Sequence, residues 1–511
     1  MNGRPYRFPA NDQPPGTGRL IDRTRPLNFT FDGAKLSGYA GDTLASALLA
    51  NGIRLTGRSF KYHRPRGIMG LGAEEANALV GLGDGARHEP NQRATQIELY
   101  DGLTAVSQNR WPNLHKDWMA ANERFARLLP AGFYYKTFMG PGRRAWMFYE
   151  RFIRRAAGLG KAGSAPDPDR YEHMHTHCDV LVVGAGIAGI CAARAAAASG
   201  ARVLLVDENA QFGGLADCSL GRIEGASPTD WLAGEVAALA ADPHVHLLPR
   251  TTVTGLYDHR YVMMVQRVAD HDPELIAEGA PRHRLWRLRA KQIILATGAI
   301  ERPLLFPDND RPGVMLATAA RAYLQRYAVA PGARGIVFTN NDSAYRVAAA
   351  LLDAGVEIVR LVDVRARPDG TLIDLAKASG IPMAFGSVIA GIETSAKGCQ
   401  IEAVHMAPMH GSGKFSRSEK HEADFVCVSG GFNPVVHLFS QLGGRLVFDD
   451  ADQMFVPVEP PPHLQLIGAA KGTFDLVALV QQADAAGERA GRAVSGRDAV
   501  GLRPLPQISL S

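Results

Sequence analysis

The sequence predicts an α/β protein, a largely parallel sheet with crossover helices preceded by a small domain that opens as a hairpin and a helix. Three observations carry this. From Asp179 onward, apolar runs of strand length alternate with helical patterns, the mark of parallel βαβ units. One run, Asp179–Val183, feeds directly into a glycine-rich loop and a helix of small residues. Near the amino terminus, Pro26–Phe31 and Ala34–Tyr39 flank Asp32-Gly33, a hairpin turn signal; Asp42 or Thr43 then caps a short helix, Leu44 to Asn51, which Gly52 stops.

The 511 residues amount to about three domains at roughly 150 residues each. An apolar fraction of 46% and a charged fraction of 21% exclude a disordered chain, a collagen-like fibre and a disulfide scaffold. Net charge is +5, divided as +10 up to Arg170 and −5 beyond it. The basic residues of the first part are scattered among apolar ones, which suits a solvated or subunit-contact face and not nucleic acid. Five cysteines (Cys178, Cys191, Cys218, Cys399 and Cys427) lie far apart with no CxxC pair, which places the chain in a reducing, cytoplasmic setting. The start, Met1 to Asp12, has no apolar h-region. The longest apolar run, Val180–Ala193, is short and interrupted by glycine, so no membrane span is expected.

Four segments are expected, the first two from composition and the last two from a resemblance given below with its motifs. Residues 1–110 complete the β-grasp, ferredoxin-like module that the hairpin and helix begin. Residues 111–177 form a connector with helical spacing at Trp118–Leu128 and Arg144–Arg155, ending in a Gly/Pro-rich linker, Gly158–His177. Residues 178–310 plus 420–500 make a nucleotide domain, and 311–419 an inserted second fold. His173, His175, His177 and Cys178 alternate along an extended linker, where side chains diverge, so no metal site is read there.

The nucleotide loop is Gly184-Ala185-Gly186-Ile187-Ala188-Gly189, a GxGxxG between a buried strand and a helix. Gly184 permits the tight turn, Gly186 lets a pyrophosphate approach the backbone, and Gly189 lets the helix pack on the strand. The helix amino terminus offers N–H groups and a positive dipole to phosphates. The second strand, Val203–Val206, ends in Asp207-Glu208, about twenty residues on, with Asp207 placed to accept ribose hydroxyls. An acid there disfavours a 2′-phosphate, so NAD or FAD is expected before NADP.

Two later stretches belong with this loop: Gln292–Ala299, which ends in Ala296-Thr297-Gly298, and Leu464–Ala470 before a helix from about Asp475 to Val494. Together they resemble the disulfide-reductase type of flavoprotein, with its FAD/NAD(P)-binding two-dinucleotide-domain fold and parallel Rossmann-like sheet. The departures matter. In the second domain the strand Gly335–Thr339 runs into Asn340-Asn341-Asp342-Ser343-Ala344-Tyr345, with no glycine where a phosphate must approach. Gly213-Gly214 is followed by Cys218 alone, whereas dithiol chemistry needs two sulfurs.

Longer stretches resemble one family specifically. Gly41–Gly52, Gly57–Gly67, Gly72–Val80, Ser107–Pro112, Ala131–Phe138 and Phe338–Arg346 look like the alpha subunit of heterotetrameric sarcosine oxidases. The resemblance implies a ferredoxin-like domain without cluster cysteines and an NAD site comprising Gly184, Ala185, Gly186, Ala188, Gly189, Asp207, Glu208, Asn209, Gly214, Leu215, Val253, Thr297, Gly298, Gly468 and Ala469, with FAD as the alternative occupant. It further implies an FAD-bearing beta-type subunit, smaller subunits, FMN at the alpha–beta boundary, and tetrahydrofolate on an aminomethyltransferase-like half that this chain lacks and that a separate polypeptide could supply. No catalytic residue is nominated on this chain. Where a cluster loop would supply cysteines, it has Arg58, Lys61, His63, Arg64 and Arg66, a charge suited to a partner surface or anionic cofactor. Two other readings stay open: an FAD-binding subunit like those of opine dehydrogenase or hydrogen cyanide synthase, and a non-catalytic assembly scaffold.

Overall fold

The computed structural model describes residues 6–129, 132, 138, 140, 142–158, 160–218, 221–410, 418–496 and 505–509. It divides into two compact units, Met1–Pro168 with Pro303–Gly431, and Asp169–Arg302 with Phe432–Ser511. Most of the Ala131–Phe138 stretch lies outside the described residues.

In the first unit, Asp22–Phe31 and Ala34–Ala40 form the expected hairpin, with Asp32 and Gly33 both at positive φ as the tight turn requires. The sheet continues from Asp22–Phe31 to Leu103–Ser107 in parallel, then to Leu79–Leu82 and Glu89–Arg93. Helix Leu44–Ala50 has no polar face and is buried at every position. Thr43 and Ser46 cap it reciprocally: Ser46 N donates to Thr43 Oγ1 at 3.1 Å and Thr43 N to Ser46 Oγ at 2.9 Å. The connector carries a 3₁₀ helix, Trp118–Leu128, and an α-helix, Arg143–Ala157.

The rest of this unit is a five-stranded parallel sheet in the order Val314–Leu316, Phe425–Ser429, Arg334–Thr339, Glu357–Asp363, Met383–Phe385, beside a three-stranded antiparallel one. The inserted fold expected over 311–419 therefore runs from Pro303 to Gly431, because Phe425–Ser429 is a central strand of its sheet. It is also not separate in its packing. Phe29, Leu44, Leu48 and Leu103 share one buried cluster with Met315, Leu316, Tyr323 and Val329.

The second unit is built on a seven-stranded sheet. Val245–Leu248, Val203–Val206, Tyr171–Val183, His283–Leu295 and Leu464–Leu466 run parallel; Tyr261–Arg267 and Thr251–Tyr257 extend it antiparallel. The linker expected up to His177 ends earlier, since the first nucleotide strand begins at Tyr171. Its first half, Tyr171–His177, is polar and largely exposed, so it has no apolar periodicity to read. Ladder pairing with His283–Arg289 defines it instead. The alternating histidines are absorbed there: His175 meets Arg287 at 3.3 Å and His177 meets Arg202 at 3.0 Å.

Helix Ile187–Ala197 lies against the carboxyl-terminal helix Leu476–Ser495. Small residues permit the close approach: a Cβ on Gly487 would stand 2.3 Å from Ala192 O, and one on Gly491 2.3 Å from Ser199 Oγ. Across the same contact Arg194 pairs with Asp484 at 3.1 Å. Among the described residues, no helix is long and apolar enough to cross a membrane.

Candidate functional site

The parallel strands of the second unit end together, and the residues singled out in the sequence gather at that end. Strand Tyr171–Val183 delivers the glycine loop. Gly184 takes φ +96°, and a Cβ there would lie 2.3 Å from Ala296 O, so only glycine lets the loop pass the neighbouring strand end. At Gly189 an added Cβ would stand 1.8 Å from Gly184 O, which fixes the helix against the loop. Gly186 differs from both: a Cβ there would meet only Gly214 Cα, at 4.0 Å. Gly186 is also the residue before helix Ile187–Ala197, and no side chain caps that helix. The site therefore presents a helix amino terminus with an open approach, which fits the pyrophosphate of a dinucleotide.

Asp207 turns its carboxylate to the main chain around the loop. Its Oδ2 accepts the Ala185 N–H at 2.7 Å, and its Oδ1 accepts both Asn209 N and Asn209 Nδ2 at 2.9 Å. The residue is buried and turned toward the loop. Glu208, half-buried beside it, has its carbonyl held by Arg267 Nη2 at 2.7 Å. Thr251 N donates to Asp207 O at 2.7 Å, which brings the strand carrying Val253 to this end of the sheet.

The remaining residues border the loop. Gly213 N donates to Ala185 O at 2.8 Å, and Gly214, at φ +55°, lies close to Gly186. Leu215 follows, exposed. Thr297 Oγ1 donates to Val435 O at 2.6 Å and Val435 N to Gly298 O at 2.9 Å, closing the turn after strand His283–Leu295. At Gly468, φ +63°, a Cβ would stand 3.0 Å from Ala188 Cβ; Ala469 is half-buried next to it. Sequence reasoning missed Gln482, whose Oε1 accepts Gly468 N at 2.7 Å. The sequence offers no signal that separates Gln482 from its neighbour Gln481 in the same helix.

The counterpart in the first unit is closed by its own side chains. Asn341 stands where a glycine loop would open, its Nδ2 donating to Ser429 Oγ at 3.0 Å and its Oδ1 accepting Ser343 N at 3.1 Å. The acid at the end of the next strand, Asp363, is fully buried; it accepts Tyr345 Oη at 2.8 Å and Arg365 Nη2 at 2.7 Å.

The basic hairpin is likewise spent internally. Arg58 Nε and Nη2 donate to Leu114 O at 3.0 and 2.8 Å. Arg64 reaches Asp308 and Asp310, both at 2.6 Å, and Glu123 at 2.8 Å. Arg66 pairs with Asp310 at 3.0 Å, and His63 Nδ1 meets Asp117 Oδ2 at 2.6 Å. These residues hold the Gly57–Arg58 and Pro65–Arg66 hairpin in place.

Comparison with known proteins agrees with this architecture. Residues 24–110 match the family described as a 2Fe-2S iron-sulfur cluster binding domain, and residues 178–454 the pyridine nucleotide-disulphide oxidoreductase family. Sarcosine oxidase subunit alpha of Rhizobium meliloti (strain 1021) is 45% identical over 99% of this chain and 48% of its own length. The subunit of the same name from Corynebacterium sp. (strain P-1) is 40% identical over 96% and 45%. The chain thus spans about half the length of the curated relatives it matches. Among solved structures, L-proline dehydrogenase from P. horikoshii superposes with a TM-score of 0.63 at 19% identity, over 95% of this chain and 77% of that one, a likeness of fold. With more than half of its residues in that match, the chain belongs to the pyridine nucleotide-disulphide oxidoreductase family, and its homologues across nearly its whole length are sarcosine oxidase alpha subunits.

Proposed function

We propose that the chain is the NAD-binding subunit of a multi-subunit amine oxidase of the sarcosine oxidase type. The reaction assigned to the whole enzyme is oxidative demethylation of sarcosine or a related N-methyl amine, giving glycine, formaldehyde or methylene-tetrahydrofolate, and hydrogen peroxide. The observation that carries this reading is the contrast between the two nucleotide folds, one open at Gly186 and the other closed by Asn341 and the Tyr345–Asp363 pair. A hydride relay inside this chain would need a second station, and the second fold offers no cradle for one.

The chemistry NAD supplies when bound is hydride exchange at its nicotinamide. The residues here bind and orient it: the Gly184–Gly189 loop takes the pyrophosphate, with Gly214, Leu215, Thr297, Gly298, Gly468 and Ala469 around it. Glu208, whose carbonyl Arg267 steadies, is the acceptor we assign to the ribose, because Asp207 is committed to the loop. Amine oxidation then falls to an FAD-bearing beta-type subunit, with FMN at the boundary and folate chemistry outside these 511 residues, in the cytoplasm. The five cysteines lie far apart in sequence with no CxxC pair, which suits that compartment.

Two measurements test this. Mass spectrometry of the ligand released on denaturation should find NAD; FAD there would move the chain to the opine-dehydrogenase-like reading. An oxygen-electrode assay with sarcosine and dimethylglycine should give no peroxide from the chain alone and turnover once a flavin-bearing beta-type subunit is co-expressed. Robust peroxide from the single chain would overturn the accessory role.

A further inference from the structure

The family match over residues 24–110 implies an iron–sulfur cluster, and the donor set does not fit one. Such clusters take thiolate ligands, and no cysteine precedes Cys178. The loop between Met69 and Ala78 shows what stands there instead. Glu75 is 1% exposed, and its carboxylate is surrounded by main-chain donors. Oε2 accepts Met69 N at 2.8 Å and Gly70 N at 2.7 Å; Oε1 accepts Asn77 N at 2.6 Å and Ala78 N at 3.0 Å. Backbone N–H groups converging on one point form an anion nest, the arrangement proteins use around phosphates and iron–sulfur sites. Here the anion is part of the loop itself.

We propose that the Glu75 carboxylate replaces an iron–sulfur cluster as the anion around which this loop folds, and that Gly70, Glu75, Ala78 and Thr95 occupy the four ligand positions. The spacing supports it. Four residues separate Gly70 from Glu75 and two separate Glu75 from Ala78, the x₄ and x₂ intervals of plant-type cluster cysteines. Thr95 is the downstream residue that reaches the same loop: it is buried, and its Oγ1 donates to Gly72 O at 2.7 Å. Glu74 completes the satisfaction of the loop by accepting Leu71 N at 2.6 Å and Gly72 N at 3.0 Å. Tyr323 Oη donates to Gly70 O at 3.1 Å, tying the loop to the core of its unit. A buried carboxylate is costly unless hydrogen-bonded, and four N–H donors meet that need. The domain retains the shape of an electron carrier while a fixed charge fills the place of its redox centre.

The test uses the full chain. Glu75→Gln keeps the shape but aims an amide N–H₂ at two N–H donors. It should lower the thermal midpoint by several degrees and admit new protease cuts between residues 69 and 78, whereas Glu74→Gln should do neither. Equal behaviour of the two variants, or wild-type stability of Glu75→Gln, overturns the proposal. A quadruple variant (Gly70→Cys, Glu75→Cys, Ala78→Cys, Thr95→Cys) refolded with ferrous iron and sulfide should take up iron and sulfide in equal amounts with visible absorbance. A refolded quadruple variant without iron, or stoichiometric iron on the unaltered chain, refutes the assignment of those positions.

Discussion

Asp207 and Ala185 hold the nucleotide end of the sheet together: the carboxylate that closes the second strand accepts the main-chain N–H at the tip of the glycine loop, at 2.7 Å. Because Asp207 is buried and its other oxygen is committed to Asn209, its substitution acts on the fold before it acts on a ligand. Asp207→Ala should destabilise the chain by about 2 kcal/mol, the range for a lost hydrogen bond to a charged group, and weaken nucleotide binding as a consequence. Glu208→Gln should weaken binding with the denaturation midpoint of the nucleotide-free protein unchanged. Urea titration beside nucleotide titration separates the two, and a midpoint that fails to move in Asp207→Ala removes the loop-holding role.

The three loop glycines should respond differently to the same methyl group. Gly189→Ala drives a carbon into Gly184 O and should prevent stable folding of this unit. Gly186→Ala meets open space in the protein and should fold normally with reduced nucleotide content; Gly186→Val should lose the nucleotide outright, and with it the stabilisation a ligand of the native state confers. Full nucleotide occupancy in purified Gly186→Val would place the dinucleotide elsewhere.

One dinucleotide per chain is the expected stoichiometry. Asn341 and the Tyr345–Asp363 pair fill the second fold, so Tyr345→Phe should cost about 1–3 kcal/mol by leaving a buried carboxylate short of a donor, without creating binding. Ligand released per mole of denatured protein, for wild type and variant, checks both statements; a value near two contradicts them.

Asp179 opens the apolar part of the first nucleotide strand. The side-chain hydrogen bond from Arg202, and after it that from Lys291, holds its carboxyl well below the usual carboxylate range. A carboxylate depressed in the folded state contributes stability that is present above its unfolded value, about 4, and disappears as pH falls through the folded one. Asp179→Asn should therefore be less stable than wild type at pH 7, with the gap narrowing as the pH drops below 4. Parallel pH–denaturation curves for the variant would show that the interaction carries no stability.

Thiol reactivity should sort by burial. Cys178 and Cys191 are buried in the nucleotide unit, and desolvation pushes both thiols up to about 12. At pH 8 neither offers appreciable thiolate, so modification should begin at the partly exposed Cys218 and Cys399 and reach Cys178 and Cys191 only on unfolding. Peptide mapping after timed alkylation would expose an error in this order.

What could be read from sequence was what short-range chemistry dictates. The Asp32-Gly33 turn, the cap at Thr43 and the glycine loop each depend on neighbouring residues, and each appears as expected. Long-range partnerships left no such trace. The acid of Asp207 looks the same in sequence whether it faces a ribose or Ala185. Residues Tyr171–His177 lack the apolar alternation that marks a strand, and pairing with His283–Arg289 defines them. The nest around Glu75 was invisible because its donors are main-chain groups, which carry no sequence signature.

Both units are assembled from two stretches of chain that interleave: the segment that completes the first unit ends at Gly431, and the nucleotide unit awaits everything after Phe432. Helix Leu476–Ser495, against which the glycine-loop helix packs, is among its last parts. At a synthesis rate of about 5–20 residues per second, the glycine loop spends on the order of tens of seconds outside the ribosome before its packing partner exists. Throughout that interval the face of Ile187–Ala197 that meets Leu476–Ser495 has no native cover, so nucleotide loading is a late event, and a nascent chain halted before Leu476 is a client for chaperones.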